Sequence, residues 1–535
     1  MEPPASKMAR GNERPTLGCP CSFSSSLRIE NVTRFSVAMS GEANSALVDH
    51  LLRDDRQEDL CFATWKPSSG FDRYSALVEQ LIPPRTGERH VHGNASFEPD
   101  YLLRAAEHAG KTGRGLVFGH SHPGGSGWQA LNSIDRAAEA RIARLSSEVT
   151  GLPLLGLALA GDRRWSARIW TGRGRAIAPV ECESVRVIGD VLSVTFNDGI
   201  YRSMKSLQHS SERFIHGGAN TQATISRLRV AVAGVGSVGM AIVDLLARTG
   251  VQSLGVFDFD SVELINLDRL RGAGLLDAYL MRPKVLVARR LLDEGSTARY
   301  PRHEVHELSV CEPEGLSRLL DYDLIISCVD RPWPRHVLNT IAYADLIPVV
   351  EGGLIAFQKP DGSLRNAYWR STIVRPGRPC LACLGQYDSA LVQVERDGCL
   401  DDPSYIANLP DDSPVRRREN VAAISAAVAA ALLQQFVSYV AQPSGVGDPG
   451  PLRFNCRDHT VERDTTVCVH GCPYQGSVGC GDARLDPSSR HHAAERARRH
   501  RAAMPLMTRT ARRVDDELVR TRRLLARTIR QGRQS

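Results

Sequence analysis

The hydrophobic positions of this 535-residue chain follow two successive patterns. From Arg28 to Trp170, apolar runs of strand length alternate with stretches apolar at helical spacing. RIENVTRFSVAMS predicts a strand, EANSALVDHLLRD a helix, and EDLCFATW a second strand with a further strand after it. PDYLLRAAEHAG then predicts a helix, GLVFGHSH a strand, SIDRAAEARIARLSSE a helix, and GLPLLGLALAG and SARIWTGR two closing strands. ECESVRVIGDVLSVTF predicts two short strands that join this half to the next. In RLRVAVAG the pattern changes: a wholly apolar strand ends on glycines and enters the helix MAIVDLLARTG, and Val251 to Phe257 forms the next strand. Such alternation predicts an α/β layer with a mostly parallel sheet. Val421 to Gly447 is uncharged but rich in Ala, Ser and Gln, too weakly apolar for a membrane span, and predicts a core helix suited to a dimer interface.

These patterns divide the chain into a disordered N-terminus (1–25), an α/β domain (26–171), a short β connecting segment (172–210), a Rossmann-like α/β domain (211–482) and a basic, partly helical tail (483–535). Hydrophobic residues make up 42% of the chain, enough for large cores. Thirteen cysteines, an odd number with metal-like spacing, point to a reducing, cytoplasmic setting. The polar start MEPPASKMARGNERP carries no secretory pattern.

The glycine run Gly234-Val-Gly236-Ser-Val-Gly239 lies between a predicted strand and helix, where backbone N–H groups at the helix start meet a polyphosphate. Asp258, about 20 residues on, is placed to reach ribose hydroxyls. A nicotinamide enzyme fits equally well up to this point. The tie is broken by Asp258-Phe-Asp260-Ser-Val262, then Asn266 and Arg269, then Arg282-Pro-Lys284, and later SCVD ending at Asp330. Two cations and two further polar groups exceed what a pyrophosphate bridge needs; they suit ATP with magnesium.

This string, from about Ser211 to Asp482, resembles the adenylating domain shared by ubiquitin-activating enzymes and the bacterial ThiF-like activators of sulfur-carrier proteins. The resemblance implies that Asp258 binds ribose, that Asn266, Arg269 and Lys284 act on the phosphates, and that Asp330 holds Mg2+. It also implies that Arg213, in SERFIHG, enters the ATP site of a homodimer partner; the competing reading of Arg213 is a solvated surface charge.

In GLVFGHSHPGGSGWQALNSIDRAAE, His120 and His122 occupy alternate strand positions and so project to one side, with Asp135 following. Two imidazoles, a carboxylate and one open position make a catalytic Zn2+ site, and Glu58 is the candidate general base. This resembles the JAMM (MPN-domain) metalloproteases, which cut peptide or isopeptide bonds after the terminal glycine of ubiquitin-like proteins. The spacing from His122 to Asp135 is two residues longer than usual, an insertion that Gly124, Gly125 and Gly127 can absorb. Asn132 or Ser133 takes the place of the family's oxyanion-stabilising serine. The competing reading is a metal-free MPN scaffold.

Cys380 and Cys383, with the distant Cys468 and Cys472, have structural-zinc spacing, and many relatives of the adenylating family bind Zn2+ through such pairs. Cys480 is an alternative to one of the later pair, and buried reduced thiols are the competing reading. Cys399 lies where ubiquitin-activating relatives carry a thioester cysteine, but Asp397, Asp401 and Asp402 surround it, and acidic neighbours raise a thiol's pKa. The more economical expectation is adenylation without a thioester.

Residues 484–535 contain fifteen arginines, no lysine and five acidic residues, so the charge of +7 over the whole chain is concentrated here. LVRTRRLLARTIRQ has helical apolar spacing; a helix laid on its own enzyme is favoured over contact with nucleic acid. The sequence therefore predicts a bifunctional enzyme. One half adenylates the C-terminal glycine of a ubiquitin-like or sulfur-carrier β-grasp protein, with a conjugating enzyme as a further partner, and the other half hydrolyses bonds after that glycine. Its alternatives are thiocarboxylate formation with release of carrier adducts, or a non-catalytic assembly module.

Overall fold

The computed structural model describes residues 34–172, 176–200, 219–298, 300–359, 361, 363–408, 421–515, 517, 518 and 521. Arg213, the N-terminus 1–25 and most of LVRTRRLLARTIRQ lie outside them.

The N-terminal half is built on a nine-stranded sheet in the order β11-β10-β1-β3-β2-β6-β7-β8-β9. Its strands are β1 (Arg34–Ser40), β2 (Leu60–Ser69), β3 (Arg73–Ile82), β6 (Gly115–His122), β7 (Leu154–Ala160), β8 (Trp165–Thr171), β9 (Ala178–Glu181), β10 (Ser184–Ile188) and β11 (Leu192–Phe196). A separate hairpin, β4 (Arg89–His92) and β5 (Asn94–Phe97), interrupts the series. Helices α1 (Gly41–Leu51), α2 (Pro99–Lys111) and α3 (Ser133–Thr150) complete this half. One cluster under the sheet holds Met39, Leu47, Trp65 and Trp165, and another holds Phe62, Tyr101, Phe118 and Ile142 beneath α2 and α3. The strands read from the sequence as a connecting segment are part of this sheet: β10 pairs in parallel with β1, and β9 pairs with β8.

The C-terminal half carries an eight-stranded sheet ordered β14-β13-β12-β15-β16-β17-β18-β19. The strands β12 (Arg229–Ala233), β13 (Ser253–Phe257), β14 (Arg302–His306), β15 (Leu324–Ser327) and the start of β16 (Val349–Gln358) pair in parallel. From β16 the sheet turns antiparallel through β17 (Leu364–Val374), β18 (Leu452–Asn455) and β19 (Thr460–Arg463). The expectation of a mostly parallel sheet is thus corrected to a mixed one. Long-range hairpin pairing replaces further strand-helix crossovers past Glu351.

Four helices place the functional residues of this half: α4 (Ser237–Arg248), α5 (Lys284–Gly295), α6 (Pro332–Ala344) and α7 (Ala422–Ala441). Helix α7 is long and apolar enough to cross a membrane, yet Val428, Leu432 and Phe436 are buried in the same cluster as Val243 of α4 and Ile373 of β17. In the tail, α8 (His492–Ala502) packs against the adjoining domain.

The two halves share one core. Ala38, Leu77, Ile188, Leu192 and Phe196 cluster with Leu228, Val230 and Leu254 of the C-terminal sheet. Across this seam Arg73 Nη1 lies 2.5 Å and Arg186 Nη1 2.9 Å from Asp323 Oδ1, all three side chains being buried. Burial works against ionisation of Asp323, and the two guanidiniums outweigh it, holding its carboxyl at about 2. Ser68 Oγ donates to Asp345 Oδ1 at 2.8 Å, and Ser69 Oγ to Asp482 Oδ2 at 2.6 Å.

Candidate functional sites

The glycine loop joins β12 to α4. Gly234 has φ +84°, a left-handed conformation costly for other residues, and a Cβ there would lie 2.9 Å from Cys328 O. A Cβ on Gly239 would lie 2.1 Å from Gly234 O, so only glycine lets the helix start so close to the turn. Gly236, the N-cap of α4, is different: a Cβ built there meets nothing within 4 Å. The loop is therefore packed tightly on the protein side and open on the other, as a polyphosphate cradle requires.

Asp258 follows β13 and props the loop, its Oδ2 accepting from Val235 N at 2.8 Å and its Oδ1 from Asp260 N at 2.8 Å. Burial pushes its carboxyl up to about 6; Lys284 opposes the rise and Asp260 adds to it. A short antiparallel contact, with Lys284 N donating to Asp260 O at 2.9 Å and Ser261 bridged to Pro283, sets α5 against this turn. Lys284 Nζ then stands 2.9 Å from Asp260 Oδ2. Burial disfavours the ammonium, but Asp258, Asp260 and Asp330 together hold its pKa above the ordinary lysine value. Asp330, exposed just beyond β15, adds to the negative field on this cation, whose direct partner is Asp260.

Asn266 Oδ1 caps a short 3-10 turn by accepting from Glu263 N at 3.1 Å. Arg269 Nη1 donates to Ile265 O and to Asp268 Oδ1, each at 2.8 Å. Its carbonyl accepts from Ser237 Oγ at 3.2 Å, which ties this segment to the first turn of α4. Arg282 is buried with Asp277 at 2.8 Å and also pairs with Asp515, a structural use of the cation next to Lys284.

In the N-terminal half, β6 pairs antiparallel with β2 so that Leu60 faces His120. Ser121 N donates to Asp59 O, and continuing the register by two residues sets Glu58 opposite His122. His120 Nε2 lies 3.8 Å and His122 Nε2 3.6 Å from Asp135 Oδ2, and the three candidate ligand atoms lie within 4.8 Å of one another. Both ring nitrogens of His120 and Asp135 Oδ2 are buried without a hydrogen-bond partner among the described residues. Such orphaned polar atoms cost free energy unless something else binds them, and this donor set fits a zinc ion. Burial, helped by Arg168 and His122, lowers the His120 pKa to about 3 and keeps the imidazole in its ligand form. Contact with Asp135 raises that of His122, with Glu58 adding to the rise.

Asn132 is the N-cap of α3, its Oδ1 accepting from Ile134 N at 2.9 Å and Asp135 N at 2.8 Å, which fixes Asp135 at the mouth of the site. Asn132 and Ser133 are both exposed beside it. The sequence reading missed the support beneath this site. Arg168 is buried with Glu139, Nε to Oε2 2.8 Å, and Trp170 Nε1 donates to the same oxygen at 2.7 Å. The available signal was an arginine at an inward position of an otherwise apolar closing strand.

The four cysteines converge. Cys380 Sγ and Cys383 Sγ lie 3.7 and 3.9 Å from Cys472 Sγ, and Cys380 N donates to Cys468 Sγ at 3.2 Å. All four sulfurs lie within 4.8 Å of one another. The separations far exceed a disulfide bond and match the edge of a zinc-thiolate tetrahedron, about 3.8 Å for Zn–S bonds of about 2.3 Å. The alternative ligand Cys480 stands apart, near Asp345, Lys66 and Arg484.

Cys399 opens a 3-10 turn, half-buried, and its acidic neighbours have structural roles. Asp401 pairs with Arg331 and Arg496, each at 2.8 Å, Asp402 caps a helix through Ser404 N, and Asp397 accepts from Gln393. Arg331 Nη1 also donates to Leu400 O at 3.3 Å, linking the Cys399 turn to the residue after Asp330.

Residues 209–452 match the model of the ThiF family. The molybdopterin-synthase adenylyltransferase of Escherichia coli is 30% identical over 178 residues, covering 32% of this chain and 66% of that protein. The sulfur carrier protein adenylyltransferase of Thermus thermophilus is 29% identical, over 31% of this chain and 59% of that protein. Ubiquitin-like modifier-activating enzyme 5 of Drosophila mojavensis is 27% identical, over 29% of this chain and 39% of that protein. The chain thus spans between about two fifths and two thirds of these curated relatives. Among solved structures, E. coli MccB with MccA aligns over 48% of this chain and 69% of its own at 16% identity, with a TM-score of 0.36. The family match spans the glycine loop, the Asp258–Lys284 cluster, Asp330, Cys380 and Cys383, and this stretch, residues 209–452, is a ThiF-family region.

Proposed function

We propose that the C-terminal half adenylates the terminal glycine carboxylate of a ubiquitin-like or sulfur-carrier protein. The observation that carries this reading is a glycine loop left open at Gly236 and propped by Asp258, with the half-buried Lys284 ammonium paired to the neighbouring Asp260. The carrier carboxylate oxygen attacks the α-phosphorus of ATP, forming an acyl-phosphate bond while the bond to the bridging α–β oxygen breaks and pyrophosphate leaves. Lys284 and Arg269 neutralise charge gathering on the phosphates, Asp330 holds Mg2+, and Asp258 orients ribose. Relatives that activate sulfur carriers and a ubiquitin-like modifier support the class of partner. The test is ATP–pyrophosphate exchange with carriers ending in Gly-Gly. Carrier-dependent exchange abolished by Asp330→Ala supports the reading, and no exchange with any carrier rejects it. Thiocarboxylate on the carrier, instead of a link to a target lysine, would place the reaction in sulfur transfer.

For the N-terminal half we propose JAMM-type hydrolysis after the same glycine. His120, His122 and Asp135 are the residues that would hold zinc, whose chemistry there is Lewis acidity toward water and a carbonyl. Glu58, opposite His122, takes up the proton in this reading, and the Asn132 amide and Ser133 hydroxyl are the donors near the developing oxyanion. The orphaned nitrogens of His120 support the reading. The test is zinc content together with cleavage of carriers extended beyond their terminal glycine. A stoichiometric metal that leaves these substrates uncut rejects the hydrolase.

A further inference from the structure

The tail enters the cleft between the two loops that carry the proposed nucleotide ligands. The His491 ring lies 5.0 Å from the ring of Phe259 and 5.0 Å from that of Trp333, and its Nδ1 is 2.7 Å from Ser309 Oγ. Phe259 stands between Asp258 and Asp260; Trp333 lies in the first turn of α6, three residues past Asp330. Arg501, on α8, donates from Nη1 to Phe259 O at 2.8 Å and to Ser261 Oγ at 3.1 Å, and it pairs with Glu307. Trp333 Nε1 donates to Pro487 O at 2.9 Å. Residues 487–501 therefore hold one loop by its backbone and the other by its indole.

Covering apolar surface alone does not account for these contacts. Arg501 is 7% and His491 5% exposed, and a buried guanidinium is costly unless well partnered. Its partners are the carbonyl and hydroxyl on either side of Asp260, so its placement fixes where that carboxylate, and Lys284 with it, can stand. His491 sets the width of the wedge between Phe259 and Trp333, and with it the separation of Asp260 from Asp330.

We propose that the C-terminal arm is a positioning element of the nucleotide site, acting through His491 and Arg501 to hold the Asp260 and Asp330 loops at the spacing that binds Mg·ATP. This rests on the nucleotide reading above. Neither residue needs to touch ATP. Because equilibrium coupling is reciprocal, Mg·ATP must hold the arm down as strongly as the arm favours Mg·ATP.

Two measurements on the full chain test this. In calorimetric titration with Mg·ATP, His491→Ala and Arg501→Ala weaken binding about tenfold, while His491→Phe, which keeps the wedge, stays within about threefold of wild type. Trypsin cleavage at the arm arginines of the wild-type chain is slowed by saturating Mg·ATP by a similar factor. Alanine variants that bind like wild type, or arm cleavage indifferent to bound Mg·ATP, overturn the proposal. If an alanine variant loses its near-ultraviolet circular dichroism, cleavage of the wild-type chain decides alone. A wild-type chain that binds no Mg·ATP overturns the nucleotide reading and this proposal with it, whereas binding without coupling overturns the arm's role only.

Discussion

Arg73 of the N-terminal sheet places its Nη1 2.5 Å from Asp323 Oδ1 of the C-terminal sheet, with neither side chain more than 3% exposed. The same guanidinium donates from Nε to Leu320 O, so one N-terminal side chain holds the approach to β15. Removing one partner of a buried pair typically costs about 3–5 kcal/mol, and here Arg186, 2.9 Å from the same Asp323 oxygen, keeps part of the compensation. Arg73→Ala is expected to lower stability in urea unfolding by less than that amount. It should also separate the unfolding transitions of the two halves, which the shared core is expected to keep together in the wild type.

Acid should reach the seam in a defined window. The folded carboxyl of Asp323 titrates at about 2, below the 3.8 of a free aspartate. Its ionised form therefore adds stability in full above pH ~4, and that stability fades as pH falls from ~4 towards ~2. In Asp323→Asn, which lacks this contribution, the urea midpoint should fall less steeply than wild type across that window. Parallel slopes for the two proteins would contradict the assignment.

The Lys284 ammonium pairs with Asp260 and lies in the field of Asp258 and Asp330. Lys284→Ala is expected to lower carrier-dependent pyrophosphate exchange by about 10²–10³, the range seen when one transition-state donor is lost. Lys284→Arg should restore little, since a planar guanidinium does not reproduce the point contact that the ammonium makes with Asp260 Oδ2. Equal exchange in Lys284→Ala and wild type would remove Lys284 from the chemistry.

The two proposed zinc sites should respond differently to mutation. Cys380→Ser is expected to lose one metal equivalent and to destabilise the C-terminal half in thermal melts, because the thiolates join residues 380–383 to residues 468–472 across the chain. His122→Ala should lose the other equivalent with little change in melting. Metal analysis of the two variants beside wild type reads both outcomes directly.

Glu58 should divide binding from catalysis. Glu58→Gln is expected to keep zinc yet cut extended carriers about 10²–10⁴ times more slowly, the contribution typical of a general base. A variant as active as wild type would leave Glu58 as a structural neighbour of His122.

Much of the site was legible because its residues lie close together in sequence. Asp258, Asp260, Asn266, Arg269 and Lys284 fall within 27 residues, and the strand-glycine-helix context is local. The alternation of GLVFGHSH placed His120 and His122 on one side without knowledge of the partner strand. What escaped depends on distant pairing. Arg73 and Asp323 are 250 positions apart, and each reads locally as an ordinary charge near a strand end. The β4–β5 hairpin escaped because RHVHGNASF has almost no apolar alternation to mark it. The antiparallel turn of the sheet after β16 escaped because β18 comes from 78 residues beyond the end of β17, past a long helix. The helix expected to rest on its own enzyme, LVRTRRLLARTIRQ, lies almost wholly outside the described residues, and the contact made by residues 487–501 was not foreseen. His491, the residue that makes that contact specific, carries no sequence signature.

Among the described residues, the shared core and the buried ion pairs at the seam bind the two sheets to each other. The span from the imidazole pair to the glycine loop is consequently a constant of the fold, a ruler built into the chain. If both proposed centres act on one carrier, a flexible peptide tail long enough to bridge that span would visit the second centre at an effective concentration set by the span and the tail's own length, and a shorter one would have to let go, tumble and rebind. Lengthening or trimming a tail residue by residue would therefore produce a threshold in hand-over between the two centres, with the fold as the gauge.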